Sequence, residues 1–222
     1  MGRDLGRFVG PDSPDEQLRS WVYAEIGVLF DAIPVRLNPP PGAVPEGFPR
    51  TLDAIRALCE SFPTTPREQI EVELVRLFVN AAGGVPAPPY ASWYLDGQLL
   101  GRASDWAARE YRRQCLEVGE DAGHPADFIG TELEYLYFLC RHQRAAELTG
   151  DQEALELALA AQMRFHRRHL ARWLPAFTRA IRGAAAGGFF SRVAAVLDAF
   201  GPEEEQHLAL LEAASRVPVQ KA

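Results

Sequence analysis

Cysteine is scarce in this chain of 222 residues, which contains Cys59, Cys115 and Cys140 and no CxxC pair. Three thiols far apart in the sequence exclude the disulfide framework of a small secreted domain, and free cysteines in apolar patterns are typical of a reducing compartment. The N-terminal residues lack an apolar core of signal-peptide length, and no apolar run approaches the length of a membrane span. The sequence therefore predicts a soluble, cytoplasmic protein without stable membrane insertion.

Positively charged residues are also fewer than negatively charged ones. The sequence has 23 Lys and Arg residues and 30 Asp and Glu residues, so the formal net charge is −7. A surface of this sign repels polyphosphate, so we predict that the chain does not bind nucleic acid. The same surface suits a basic partner, although an acidic balance is common among proteins that have none.

Catalytic motifs are missing as well. The sequence has no GxSxG elbow, and no cysteine lies at an electropositive helix start. The glycine pairs at 83–84 and 187–188 lack the lysine or the strand context of a phosphate-binding loop. We therefore predict that the chain is not an enzyme and needs no cofactor.

Two histidine-containing pairs keep one alternative open. Glu204-x-x-His207 has the spacing used in carboxylate-bridged di-iron bundles, but no second ExxH occurs, and we favour acids in the first turn of an exposed terminal helix as its explanation. His166-x-x-His169 can place two imidazoles on one helical face, but a convincing third ligand is missing, and we favour a helical turn near the surface or packed beside Trp173. A helical metalloenzyme using these four residues remains an alternative, as does a helical adaptor with an unrelated partner.

Strand-type alternation is almost absent, whereas helical periodicity follows a series of proline-marked starts. We predict eight to ten mostly short helices in an all-α fold, as one domain over residues 1–222 with its core at about 14–214. Two irregular stretches interrupt it: residues 34–50 contain six prolines, and residues 83–101 combine turn residues with aromatic ones. Predicted helix starts are Ser13-Pro14, Thr65-Pro66, His124-Pro125 and Gly201-Pro202, and Gly150-Asp151 reads as one helix stop followed by the next cap.

The segment PADFIGTELEYLYFL at 125–139 is the most informative part of the chain. It places an acid, Asp127, at the entrance of a helix that is apolar on more than one side, as expected for the central helix of an all-helical core. Its predicted buried face consists of Ile129, Leu133, Leu136, Tyr137 and Cys140.

Four segments in order resemble the TorD/DmsD family, the chaperones that mature molybdopterin-containing oxidoreductases and are related to NarJ-type chaperones. They are EVELVRLFVN at 71–80, PPYASWYLDG at 88–97, HPADFIGTELEYLYFL at 124–139, and FHRRHLARWLPAF followed by GFFSRVAAVLDAF at 165–200. The resemblance spans roughly residues 15–210. It implies a TorD-like helical bundle with long loops.

The resemblance extends to individual residues. Leu77 and Phe78 match the Leu-Phe of an aromatic-x-x-Leu-Phe motif, whose aromatic position is Leu74 here. Pro125 and Asp127 match a Pro-x-Asp-His segment in which Phe128 replaces the histidine. The remaining matches are Tyr90 and Ser92 in a Pro-Tyr-Glu-Ser loop that has Ala91 for the glutamate, and Leu133 with Glu134 in the Leu-Glu that follows.

In the family, residues of the first two motifs line the region that binds the client's twin-arginine signal peptide. Such a signal joins a basic segment to an apolar one, so its binding surface needs an apolar groove with acids at its rim. Phe78, Leu77 and Trp93 are predicted to supply the groove. Asp127, Glu134 and Glu132 are predicted to pair with the guanidinium groups. For Asp127, a ligand role and a helix-capping role both remain open. The predicted client-binding residues are Leu74, Leu77, Phe78, Tyr90, Trp93, Asp127, Phe128, Glu132 and Glu134.

The function that the resemblance implies is a cytoplasmic chaperone. It would hold the signal peptide or the immature catalytic subunit of a molybdopterin-containing oxidoreductase until the cofactor is inserted and export is permitted. The long loops also permit a domain-swapped dimer beside a monomer.

Overall fold

The structure is a computed structural model that describes residues 13–34, 36–119 and 123–215. Within this part of the chain the secondary structure is helical, and the one strand-like feature is an isolated antiparallel bridge between Tyr90 and Phe128. The helices are α1 (Pro14–Trp21), α2 (Pro49–Ser61), α3 (Arg67–Leu74), α4 (Ala91–Asp96), α5 (Arg102–Arg113), α6 (Ile129–Thr149), α7 (Gln152–Phe165), α8 (Ala171–Ala184) and α9 (Phe189–Ser215). The predicted all-α fold is confirmed.

Three of these helices run directly into a π-helical turn. The turns are Val22–Ile26 after α1, Val75–Val79 after α3, and His166–Leu170 between α7 and α8. A π turn inserts one extra residue into a helical path and so changes which side chains face inward. In the third turn, both His166 and His169 are buried.

The core is one continuous cluster of buried apolar side chains from Leu18 to Phe200. Helix α6 packs against α7, α1 and the first π turn, while α9 packs against α2, α7 and α8. The predicted buried face of α6 is confirmed, with Ile129, Leu133 and Leu136 fully buried, although Tyr137 is only partly buried. Among the described residues, no helix is both long enough and apolar enough to cross a bilayer.

Two predicted helix boundaries are confirmed by side-chain caps. The Ser13 hydroxyl accepts a hydrogen bond from the Glu16 N–H at 3.3 Å, so α1 begins at Pro14 as expected. Gly150 ends α6 with a left-handed φ of 67°, and the Asp151 carboxylate then caps α7 through the Ala154 N–H. These caps are local, which is why the sequence alone reveals them.

Three other predictions differ from the structure. Helix α3 begins at Arg67, one residue after the predicted Pro66, but Thr65 does not cap it, because the Thr65 hydroxyl donates to the Ser61 carbonyl instead. Residues 125–128 form a turn, so α6 begins at Ile129 rather than at Pro125. Pro202 lies inside α9, which continues through it without a new start. The irregular stretch 83–101 also contains the short helix α4.

Candidate functional site

The entrance of α6 is tied by backbone hydrogen bonds to the aromatic loop that precedes α4. The Ala91 N–H donates to the Asp127 carbonyl at 3.0 Å, and the Ile129 N–H donates to the Pro89 carbonyl at 3.0 Å. This exchange is the bridge between Tyr90 and Phe128. It brings together three predicted site residues, Tyr90, Asp127 and Phe128, although Tyr90 lies more than 30 positions before the other two in the sequence.

Asp127 is fully buried and holds the first turn of α4. One carboxylate oxygen, Oδ2, accepts the Ser92 N–H at 2.8 Å. The other oxygen, Oδ1, and the Ser92 hydroxyl are both buried without a hydrogen-bond partner. A carboxylate at the N-terminus of a helix satisfies an N–H group that otherwise has no acceptor. Asp127 is therefore a cap, but of α4 rather than of its own helix, and a ligand role for it stays a prediction.

Glu132 is also fully buried, inside the bundle rather than at a rim. Its two oxygens contact His169 Nε2 at 2.6 Å and Trp173 Nε1 at 3.1 Å. Burial raises the pKa of Glu132, while His169 and Trp173 counteract part of that rise. The ring of Trp106 stacks on His169 with a centroid distance of 4.9 Å. This cluster joins α5, α6 and α8, so Glu132 helps to hold these three helices together.

Leu77 and Phe78 lie in the core. Leu77 is fully buried, and the Phe78 ring packs edge-on against Phe30 and Phe190 at 5.3 and 4.9 Å. Leu74 is only partly buried at the edge of this cluster. Leu77 and Phe78 cannot line an open groove together with Trp93, since their side chains have almost no accessible surface.

The accessible members of the predicted set are Trp93, Tyr90, Glu134 and the partly buried Leu74. Trp93 is 45% exposed on α4, an unusual position for so large an apolar side chain. Tyr90 is half-buried and packs against Phe128 at 5.8 Å, and Glu134 is exposed on α6. Surface pockets of about 460 Å³, between α7 and α9, and of about 260 Å³, between α3 and α8, contain none of the nine predicted residues.

The Glu204-x-x-His207 pair belongs to a buried polar network. Glu204 is fully buried and receives two hydrogen bonds of 2.7 Å from Arg19 and one of 2.7 Å from Tyr23. Burial opposes ionisation, but the Arg19 guanidinium lowers the pKa of Glu204 below its usual value. His207 contacts Glu16 at 2.9 Å. The expectation of first-turn acids on an exposed helix is therefore wrong, because these residues fasten α9 to α1.

The second histidine pair is split between different surroundings. His169 contacts Glu132, whereas both ring nitrogens of His166 are buried without a hydrogen-bond partner. Burial lowers the pKa of His166, although Glu204 and Glu205 act in the opposite direction. Both histidines are buried, so the expected position of this pair near the surface is wrong. Within the described ranges, no three His, Cys, Asp or Glu side chains are grouped as metal ligands.

Sequence reasoning overlooked Arg19 and His124. Arg19 is a fully buried charge, and its only sequence signal is its place beside the apolar face of Leu18 and Val22. His124 stacks on Phe128 with a centroid distance of 3.9 Å. Nothing in the local pattern around His124 indicates that contact, because it depends on the turn at 125–128.

Comparison with known proteins identifies the family. The family model described as nitrate reductase delta subunit matches residues 42–179. A chaperone protein TorD of Vibrio atlanticus is 34% identical over 127 residues, which is 55% of this chain and 57% of the relative. A chaperone protein TorD of Photobacterium profundum is 30% identical over 166 residues, which is 72% of this chain and 73% of the relative.

Among solved structures, a putative redox enzyme maturation protein from Archaeoglobus fulgidus superposes with a TM-score of 0.46 and 18% identity, over 93% of this chain and 99% of that one. The chain spans little more than half the length of several curated relatives that it matches. The family match covers more than half of the chain and agrees with the resemblance found in its sequence motifs. The chain therefore belongs to the nitrate reductase delta subunit family, which is the TorD/NarJ family.

Proposed function

We propose that this protein is a chaperone for the maturation of a molybdopterin-containing oxidoreductase, acting in the cytoplasm and not as an enzyme. It binds the client's N-terminal twin-arginine signal, or the immature catalytic subunit, before cofactor insertion and export. The observation that carries the proposal is membership of the TorD/NarJ family, whose curated members matched here are named chaperones.

The physical arrangement is compatible with that role. The bridge between Tyr90 and Phe128 presents Tyr90 and the exposed Trp93 on one loop-helix segment, which the buried Asp127 carboxylate holds in place. Aromatic side chains fixed on a firm support suit recognition of an apolar segment, because little conformational entropy is lost on binding. An acidic protein surface favours a basic segment of the same peptide.

We divide the nine proposed client-binding residues by their accessibility. Trp93, Tyr90, Leu74 and Glu134 are accessible enough to contact the client, and the other five are buried: Leu77, Phe78, Asp127, Phe128 and Glu132. Of these five, Asp127 and Phe128 position the accessible segment directly, because Asp127 accepts the Ser92 N–H and Phe128 packs against Tyr90.

Calorimetric titration with the N-terminal peptide of a molybdopterin-containing oxidoreductase from the same organism tests the proposal. We expect saturable binding that weakens when both arginines of the peptide are replaced by alanine. If neither the peptide nor the immature catalytic subunit binds, the proposed function is wrong. Gel filtration of the same sample over a range of concentrations distinguishes a monomer from a domain-swapped dimer.

Trp93→Ala is the sharpest variant for this surface. Because Trp93 is nearly half exposed, its removal should change the melting temperature little while weakening peptide binding by roughly tenfold or more, as at an aromatic hot spot. Leu157→Ala is the matched control, since Leu157 is 65% exposed on α7. Equal affinities for the two variants would remove Trp93 from the client surface.

A further inference from the structure

Three rings form a cluster at the entrance of α6. His124 stacks on Phe128 with a centroid distance of 3.9 Å and an interplanar angle of 12°, and Tyr90 packs against the same Phe128 ring. Phe128 is only 3% exposed, whereas the His124 side chain is 28% exposed. The imidazole therefore forms the outer surface at this point, and Phe128 supports it from below.

Two hydrogen bonds link the His124 imidazole to Tyr90 on one side and to Asp31 on the other. Tyr90 Oη lies 3.3 Å from His124 Nδ1, and His124 Nε2 lies 3.3 Å from Asp31 Oδ1. Both distances are at the long end for hydrogen bonds. A neutral ring with its proton on Nε2 satisfies both contacts, because Tyr90 then donates to Nδ1 and the ring donates to Asp31. His124 thus fixes the orientation of a carboxylate that lies 93 positions away in the sequence.

The Asp31 carboxylate, which accepts the hydrogen bond from His124, is available to a ligand. The Asp31 side chain is 67% exposed, and in the described part of the chain Oδ2 has no hydrogen-bond or ion-pair partner. A contact to an exposed carboxylate contributes little to the free energy of unfolding, so the His124–Asp31 contact stabilises the fold little. The contact does restrict the Asp31 side chain, so a binding partner would lose less conformational entropy when it binds there.

The chemistry of the cluster selects a cation with a flat face. A guanidinium group can donate to a carboxylate and stack on an aromatic or imidazole ring at the same time, which an ammonium group does less well. Burial raises the pKa of Tyr90, and the Asp127 carboxylate behind it adds to that rise and places negative charge near the cluster. No arginine or lysine side chain contacts Asp31 among the described residues.

We infer that Asp31, oriented by His124, binds an arginine side chain of the client's basic segment. The inference rests on the proposed function for the identity of the client and adds two residues to its binding surface. Asp31 contacts the guanidinium directly, and His124 is a positioning residue that acts through Asp31.

Calorimetry with the molybdoenzyme's N-terminal peptide, and with a peptide in which lysine replaces each arginine, tests the inference. Asp31→Asn should weaken binding of the arginine peptide by roughly tenfold, the loss of one charge-assisted contact, and should abolish the preference for arginine over lysine. His124→Phe keeps the ring stack but not the hydrogen bonds, so it should lose part of the same preference. Asp53→Asn changes a carboxylate that is 80% exposed on α2 and should bind like the unmodified protein.

Unaltered affinity and arginine preference in Asp31→Asn would overturn the inference even if the client binds normally. Failure of the unmodified protein to bind the peptide would instead count against the proposed function. In that case NMR signals of the His124 and Tyr90 rings decide the inference, with arginyl-arginine amide as the probe. Shifts that saturate in the unmodified protein but not in Asp31→Asn support it, and no shift in the unmodified protein overturns it.

Discussion

Arg19 and Glu204 show how one buried charge pair can hold distant parts of the chain together. Both side chains are fully buried, and the guanidinium meets the carboxylate through two nitrogens at 2.7 Å each. The remaining donors of Arg19 bond to Glu16, Gln143 and Gln162. Such a pair costs desolvation when it forms, but breaking it leaves a charge without compensation.

We expect Arg19→Ala to lower the free energy of unfolding by about 3–5 kcal/mol, because Glu204 would stay buried without its counter-charge. Urea denaturation followed by circular dichroism measures this change. Arg67→Ala is the control, since the Arg67–Glu71 pair is about half exposed and should be worth less than about 1 kcal/mol. Similar losses in the two variants would contradict the assigned role of the buried pair.

The lowered pKa of Glu16 predicts how the stability of the protein depends on pH in the acid range. Burial opposes its ionisation, but Arg19 and His207 prevail and hold the pKa of Glu16 at about 2, below its ordinary value of 4.5. A depressed folded-state pKa contributes stability that is present above pH 4.5 and is lost as the pH falls toward 2. The contribution is at most about 3 kcal/mol.

The melting temperature of Glu16→Gln should therefore fall less steeply between pH 4.5 and 2 than that of the unmodified protein. Scanning calorimetry over this range provides the measurement. Glu60→Gln, which changes an exposed glutamate at the end of α2, should keep the slope of the unmodified protein. Parallel curves for Glu16→Gln and the unmodified protein would show that Glu16 does not carry this dependence.

At the scale of elements, glutamates from other helices cap two helix starts. The buried Glu73 of α3 accepts the Phe189 and Phe190 N–H groups at the beginning of α9, at 2.9 and 3.0 Å. Glu203 of α9 accepts the N–H groups of Arg50 and Thr51 at the beginning of α2, each at 3.0 Å. Each carboxylate satisfies two N–H groups that have no partner within their own helix.

Glu73→Ala should destabilise the protein by about 1–3 kcal/mol, because two buried N–H groups at the start of α9 lose their acceptor. Glu71→Ala on the same helix is the control, with a change below about 1 kcal/mol, since Glu71 is exposed. Chemical denaturation measures both changes. Equal effects would mean that water replaces the Glu73 carboxylate without cost.

The error at Pro202, where the sequence predicts a new helix start, has the same origin as these caps, because both depend on contacts between helices. A start such as Ser13-Pro14 is specified by residues that touch each other within one turn. Helix α9 instead continues through Pro202 because Phe200 and Leu208 on either side of it are buried in the core, and Glu203 and Glu204 bind other helices. Packing across the bundle outweighs the cost of one proline, and no local pattern reveals it.

At the scale of the whole molecule, the three free thiols report different depths of the fold. Cys115 is exposed, Cys59 is partly buried, and Cys140 is buried on α6. Burial, with a smaller effect of Glu25, raises the pKa of Cys59 to about 11, and burial raises the pKa of Cys140 further. Because the thiolate is the reactive form, reactivity should fall in the order Cys115, Cys59, Cys140.

Titration with a chromogenic disulfide reagent at mildly alkaline pH tests this order. We expect one fast equivalent from Cys115, a slow second one from Cys59, and reaction of Cys140 only at the urea concentration that unfolds the bundle. Cys115→Ser should remove the fast phase without changing the melting temperature. Fast labelling of Cys140 under native conditions would contradict a continuous core around α6.

The sequence by itself determined the helical class, the caps at Ser13 and Asp151, the buried face of α6 and the family, because periodicity and capping are local and the family motifs keep their order along the chain. Only the tertiary structure decided that Asp127 caps α4, that Glu132 is a buried partner of His169, and that Glu204 and His207 bind residues of α1. These roles depend on contacts between residues 35 to 191 positions apart in the sequence. Spacing along one helix shows which residues share a face, but the packing of the bundle determines what that face meets.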